Sequence, residues 1–165
     1  MLQSLSIRLE TEEDDILIET MRRYNEACNF AAERAFVLKL RNKYKLHKIV
    51  YKEIRERFGL SSQLAIRIIS KVVESYKYNK KPWFKPLGAI QYDQRNSRIS
   101  IDKVSIMTLQ GRLKLVTTSW PRYTNRWFFP RTSLQLGITT ELQEQHLALI
   151  LYLNTNIRLL HKTRL

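Results

Sequence analysis

A chain of 165 residues that contains one cysteine, four glycines and four prolines has few of the residue types that staple, hinge or break a fold. With Cys28 alone, no intramolecular disulfide can form, and a reducing cytoplasm is the expected compartment. No CxxC pair exists, which excludes the cysteine-based zinc sites. His47, His146 and His161 are scattered without ligand-like spacing, so no metal or other cofactor is expected. Acids are scarce late in the chain, where only Glu141 and Glu144 follow Lys114. Two-metal phosphodiester cleavage needs several convergent carboxylates, and none of the catalytic residues of such a nuclease is expected here. The longest apolar run, residues 147–153, falls far short of the roughly 20 residues that span a bilayer. The start of the chain also lacks the basic-then-apolar order of an export signal. Neither a membrane nor a small-molecule substrate is therefore expected as partner.

What the chain does have is positive charge. Its net charge of +14 at 44% hydrophobic content describes a folded polycation, of a size for one domain or two small lobes sharing a core. Nucleic acid, a ribosome and an anionic membrane surface all attract such a protein. The distribution narrows the choice. Residues 1–34 hold four basic and eight acidic groups, a balance of −4, whereas residues 35–85 hold 14 Lys and Arg against Glu53, Glu56 and Glu74, a balance of +11. A segregated cationic stretch suits a phosphate backbone.

The period of the apolar residues changes along the chain. Leu5, Ile7 and Leu9 alternate with polar residues as in a strand, and the acids after Thr11 suit a helix N-cap and first turn. Leu17, Met21, Tyr24, Cys28, Ala31 and Ala35 then recur at steps of three and four, predicting a helix over residues 12–38 with one buried face. On that face Cys28 is an inert core thiol. Leu46, Val50, Ile54 and Phe58 mark a second helix ending at Gly59, and residues 64–76 carry the broad apolar band of a third that opens at Ser61 or Ser62. Pro82 and Pro86 stop helix in a cationic linker, residues 80–85. Beyond it the period becomes two, predicting short antiparallel strands over residues 89–93, 98–101, 104–109 and 113–118. Thr140 with Gln143 opens an expected helix running to about residue 153, apolar on every side and without an evident partner segment.

Several segments carry a family resemblance. Tyr24-Asn25-Glu26-Ala27-Cys28-Asn29-Phe30, Phe58-Gly59-Leu60-Ser61-Ser62-Gln63-Leu64-Ala65, Pro82-Trp83-Phe84-Lys85-Pro86 and the stretch Val104-Ser105-Ile106-Met107-Thr108-Leu109-Gln110-Gly111 are similar in order and spacing to the amino-terminal part of TnpB/OrfB insertion-sequence proteins. The likeness covers about residues 4–116. It implies an α+β fold in which a small, wedge-like β-barrel of residues 1–9 and 86–118 carries an inserted helical recognition lobe, residues 10–79. An irregular or helical tail, residues 119–165, would follow. It also implies a role in a transposon-encoded, RNA-guided DNA endonuclease related to type V CRISPR effectors, with guide RNA and target DNA as partners. In such systems base pairing reads sequence while protein holds backbones.

The family continues into a RuvC-like nuclease and a zinc insertion that this chain does not reach. Leu136-Gly137-Ile138 resembles the family's first nuclease strand, but Gln135 stands where the family has an aspartate, and a neutral amide is a poor ligand for a hard cation. A tail altered by frameshift, deletion or early termination and a chance likeness both fit those three residues. The expected product is thus a nucleic-acid-binding fragment without cleavage activity. A subunit completed by a separate nuclease chain and a decayed transposase gene product without function are the alternatives.

Candidate contacts follow from residue chemistry. Lys77, Lys80, Lys81 and Lys85 surround Trp83 and Phe84, combining cations with surfaces on which bases stack. Lys43, Lys45 and Lys48 open the second helix beside Lys39 and Arg41. Gln63, Arg67, Ser70, Glu74 and Lys77 form the stripe opposite the apolar band of the third helix, with Lys71 at its border, and Gln and Arg there have the donors to read purine edges. Each group also has a bland reading: a solvated linker with packed aromatics, a charged loop, or an ordinary wet helix face.

Overall fold

The computed structural model describes residues 2–10, 14–93, 95–99, 103–117, 133–138 and 149–156, with side chains described over 15–93, 95–98 and 103–115. The order of elements is β1 (Leu2–Glu10), α1 (Asp14–Val37), α2 (Lys43–Phe58), α3 (Ser62–Ser75), β2 (Ile90–Tyr92), β3 (Ser97–Ile99), β4 (Lys103–Thr108), β5 (Gly111–Thr117), β6 (Ser133–Ile138) and β7 (Leu149–Asn156). The fold is mixed α+β, three helices beside an antiparallel sheet. No helix among the described residues is long and apolar enough to cross a membrane.

Each helix forms where the apolar period places it. All six stripe residues of α1 and all four of α2 are buried, as are Leu64, Ala65, Ile68, Ile69 and Val72 of α3. Together with Ile90, Tyr92, Val104, Ile106 and Leu115 they make one continuous core between helices and sheet. Strand β4 buries Val104, Ile106 and Thr108 in alternation, the pattern of a sheet with one covered face. Thr20 on α1, itself buried, accepts the amide of Leu109 at 3.3 Å and so ties the helix to the β4–β5 turn. The expected cap at Thr11 lies outside the described residues.

Two left-handed residues end helices. Gly59, at φ 65°, closes α2 with its amide donating to the Arg55 carbonyl. Lys39, at φ 52°, does the same job for α1, with the Leu40 amide returning to the Ala35 carbonyl at 2.9 Å. Only one of these positions carries the residue type that is free of Cβ strain there.

The strand order is β2-β6-β7-β1-β5-β4-β3, with antiparallel pairing throughout. Strands β3, β4 and β5 form a three-stranded antiparallel meander within it. Strands β2 and β3 stand at opposite ends of that order, yet only residues 93–96 separate them. Laid flat, six strand spacings would hold them about 29 Å apart. The connection reaches about 17 Å at full extension, so the sheet curls strongly. No ladder joins β2 to β3 among the described residues, and the sheet is not closed. Met107 stitches across the gap instead: its amide donates to the Asn96 carbonyl at 2.9 Å and its carbonyl accepts from the Tyr92 hydroxyl at 3.0 Å.

The apolar run near the carboxyl end is a strand, not the expected helix. Residues 149–156 form β7, which pairs along its length with β1 on one side and with β6 on the other. A short run that is apolar on all sides reads equally as a buried helix or as a central strand, and its partner here, β1, lies more than a hundred residues away. The proposed helix start, Thr140 and Gln143, lies outside the described residues.

The two helix ends give a paired test. Gly59→Ala is expected to lower stability by about 1 kcal/mol, whereas Lys39→Gly relieves the same strain and raises it by about 0.5 kcal/mol, read from urea unfolding midpoints.

Candidate nucleic-acid interface

Antiparallel packing of α1 on α2 and α2 on α3 brings the last turn of α1, the first turn of α2 and the last turn of α3 to one end of the helical layer. Tyr76 fixes that arrangement by donating its hydroxyl to the Ala32 carbonyl at 2.7 Å. The Lys81 ammonium lies 5.7 Å from the centre of the Phe36 ring. Two basic segments far apart in sequence thereby approach each other, Lys81 over Phe36 and Arg41 near Tyr76: one carries Lys39, Arg41, Lys43 and Lys45, the other Lys77, Lys80 and Lys81. All seven are exposed. Lys48 is exposed one turn further along α2 and Lys85 beyond Phe84. The ion pairs among the described residues lie elsewhere, Arg23 with Glu19, Arg34 with Glu53 and Lys52 with Glu56.

The start of α2 is notable on local grounds. Asn42 caps it, accepting from the amides of Tyr44 at 2.9 Å and Lys45 at 3.2 Å, but its first turn holds no acid and two lysines. Cations at the positive end of a helix dipole cost stability, so helix formation alone does not account for Lys43 and Lys45. Tyr44 between them is 79% exposed, and Tyr78 beside Lys77 is 87% exposed.

The segment after α3 is held firmly. Asn29 clasps Phe84 by both backbone groups, donating to its carbonyl at 2.9 Å and accepting from its amide at 2.8 Å. Asn25, fully buried, donates to the carbonyls of Pro86 at 3.2 Å and Gly88 at 2.8 Å. Gly88 suits this closeness, since a Cβ there would stand 3.0 Å from the Lys85 carbonyl oxygen and 3.3 Å from Asn25 and would press both back by a few tenths of an ångström. Pro82 is buried, Phe84 half-buried, and Trp83 between them is 76% exposed.

The stripe on α3 that the sequence suggests as solvated is so only in part: Glu74 and Lys77 are exposed, Gln63 and Arg67 half-buried. Ser70 is buried and donates to the Ile66 carbonyl at 3.0 Å. Arg67 is half-buried, with Nε shielded and without a hydrogen-bond partner. The Lys71 ammonium donates to the Ala89 carbonyl at 2.6 Å and to Asn25 at 3.3 Å, and lies 5.1 Å from the centres of both the Tyr24 and Phe84 rings. Burial pushes its pKa down, partly countered by the nearby Cys28. The reason is tertiary: α3 packs on the other helices with its apolar band and on β2 with the adjoining flank, which widens the buried face beyond the hydrophobic residues. Lys71 is thus engaged by the protein itself. Gln63 is half-buried at the opposite end of α3, about 21 Å from Lys77 at 1.5 Å per residue. Among the described residues no three His, Cys, Asp or Glu side chains gather as a metal site, and His47 stacks on Tyr51 at 4.5 Å.

Burial sets the behaviour of Cys28, whose pKa rises from its ordinary 9.0 to about 12 despite the coulombic pull of Lys71. Above pH 9 the unfolded chain loses this proton and the folded one keeps it, so stability falls as pH rises from 9 toward 12. Tyr24 and Tyr92, also raised by burial, add to the fall from their ordinary 10.0 upward. Lys71, with its pKa lowered, acts in the opposite sense. Cys28→Ala is therefore expected to delay the onset of alkaline destabilisation by about one pH unit in urea titrations.

No family model and no curated protein matches this chain.

Proposed function

We propose that this chain is the nucleic-acid-binding front part of a transposon-encoded, TnpB-like RNA-guided DNA endonuclease, holding guide RNA and target DNA without cutting. The observation that carries this reading is the shared cationic end of the helical layer, where Lys39, Arg41, Lys43, Lys45, Lys77, Lys80 and Lys81 are all exposed. Cations so placed repel one another and oppose the α2 dipole; a phosphate backbone offsets both costs. The resemblance of residues 4–116 to the TnpB/OrfB proteins supports the same assignment. In that reading the curled sheet is the wedge-like barrel, and the three helices between β1 and β2 are its inserted recognition lobe. The connection of only four residues between the two ends of the sheet is what favours a barrel.

Phosphate contact predicts a steep loss of affinity for RNA and for duplex DNA as salt rises, since each neutralised phosphate of a duplex releases about 0.9 counterion. Exchanging Lys43, Lys80 and Lys81 for Gln is expected to reduce the slope of log affinity against log salt by about 2 to 3. Weak retention that ignores salt would remove the basis for the assignment. Magnesium-dependent nicking by the purified chain, abolished by chelation, would contradict binding without cleavage.

A further inference from the structure

A groove of about 670 Å³ runs between α1, the end of α2 and the segment after α3. Its floor is aromatic and already covered: the Arg57 guanidinium lies 5.2 Å from the centre of the Phe30 ring and 5.5 Å from that of Phe58. Its rim is not. Trp83 is 76% exposed and, among the described residues, has neither a ring nor a cation stacked on it. An indole left in water forgoes the burial that its surface would otherwise gain. The backbone that carries Trp83 is held on both sides, because Pro82 before it is buried and Phe84 after it is clasped at both backbone groups by Asn29. The groove further contains Lys81 beside Trp83, and Glu26 and Glu33, two exposed carboxylates on one flank of α1 with no ion-pair partner among the described residues.

The geometry points to this groove as a pocket for an unpaired base of a single-stranded RNA, stacked on Trp83, with its amino group donating to Glu33 or Glu26 and its phosphates beside Lys81, Lys80 and Lys85. The inference rests on the nucleic-acid reading above and sharpens it. Three chemistries meet here, and a nucleotide presents the complement of each: a flat ring for the indole, an anion for the ammonium groups, and an exocyclic amine for the carboxylates. A basic peptide would satisfy the carboxylates but be repelled by the lysines. An acidic one would meet the reverse. Because a carboxylate only accepts hydrogen bonds, the pocket favours cytosine, whose N4 amine donates, over uracil, whose O4 in the same place accepts.

The test is fluorescence anisotropy of the whole chain with labelled octamers of cytidine and of uridine. Wild type is expected to bind the cytidine octamer about five- to tenfold more tightly. Trp83→Ala should weaken both octamers about tenfold, with Trp83→Phe recovering most of the loss because it keeps a stacking ring. Exchanging Glu26 and Glu33 together for Gln should abolish the preference without weakening uridine binding. These side chains are exposed, and an unchanged thermal midpoint verifies that the variants fold. Salt-sensitive binding with equal affinity for both octamers and no effect of Trp83→Ala would overturn the pocket while leaving the general reading intact. Salt-insensitive binding of either octamer would overturn both.

Discussion

Two asparagines and a lysine hold the helices to the sheet. Asn25 and Asn29 on α1 and Lys71 on α3 spend their polar groups on the backbone of residues 84–89, the stretch that leads into β2. A backbone running irregularly over a core has amides and carbonyls that need partners, and leaving one buried and unpaired costs about 1–3 kcal/mol. The side chains supply what a regular ladder would otherwise provide. Lys71 adds its ammonium between the rings of Tyr24 and Phe84, where the loss of hydration that lowers its pKa is offset by two acceptors and two ring faces. The shared core and the Thr20 contact with Leu109 join the helices to β4 and β5 beside it.

The same anchoring gives the surface its character. Because Pro82 is buried and Phe84 is clasped, the backbone on both sides of Trp83 is held, with Lys81 over Phe36 before it and Lys85 exposed after it. At the other edge of the patch, Lys43 and Lys45 sit where a helix prefers acids. Charges arranged against local preference carry an electrostatic cost in the free protein. The acids of α1 do not neutralise the patch; Glu26 and Glu33 line the adjoining groove instead.

The curled sheet follows from a different constraint, chain reach. Joining the two outermost strands through residues 93–96 leaves no room for a flat sheet, and Tyr92 and Asn96 complete the approach through Met107. Residues from both ends of the chain meet in its centre, where β1 lies between β5 and β7. Such pairings carry a loop-closure cost that must be met before their contacts form.

Local period and turn chemistry were enough to specify the three helices, the left-handed stop at Gly59 and the alternating face of β4, because each depends on residues within a few positions of one another. The crowding of lysines between helices and strands was equally plain in the sequence, as was the core position of Cys28. Tertiary structure alone decided that Lys71 and Ser70 turn inward, that the run in residues 149–156 is a strand, that Trp83 stays in water while Pro82 does not, and that Phe36 and Arg57 border a groove with it. Polar burial depends on partners brought from distant segments, and a uniformly apolar run has no period to distinguish helix from central strand. Hydrophobic spacing records which face of an element is dry; it holds no information about what lies across from it.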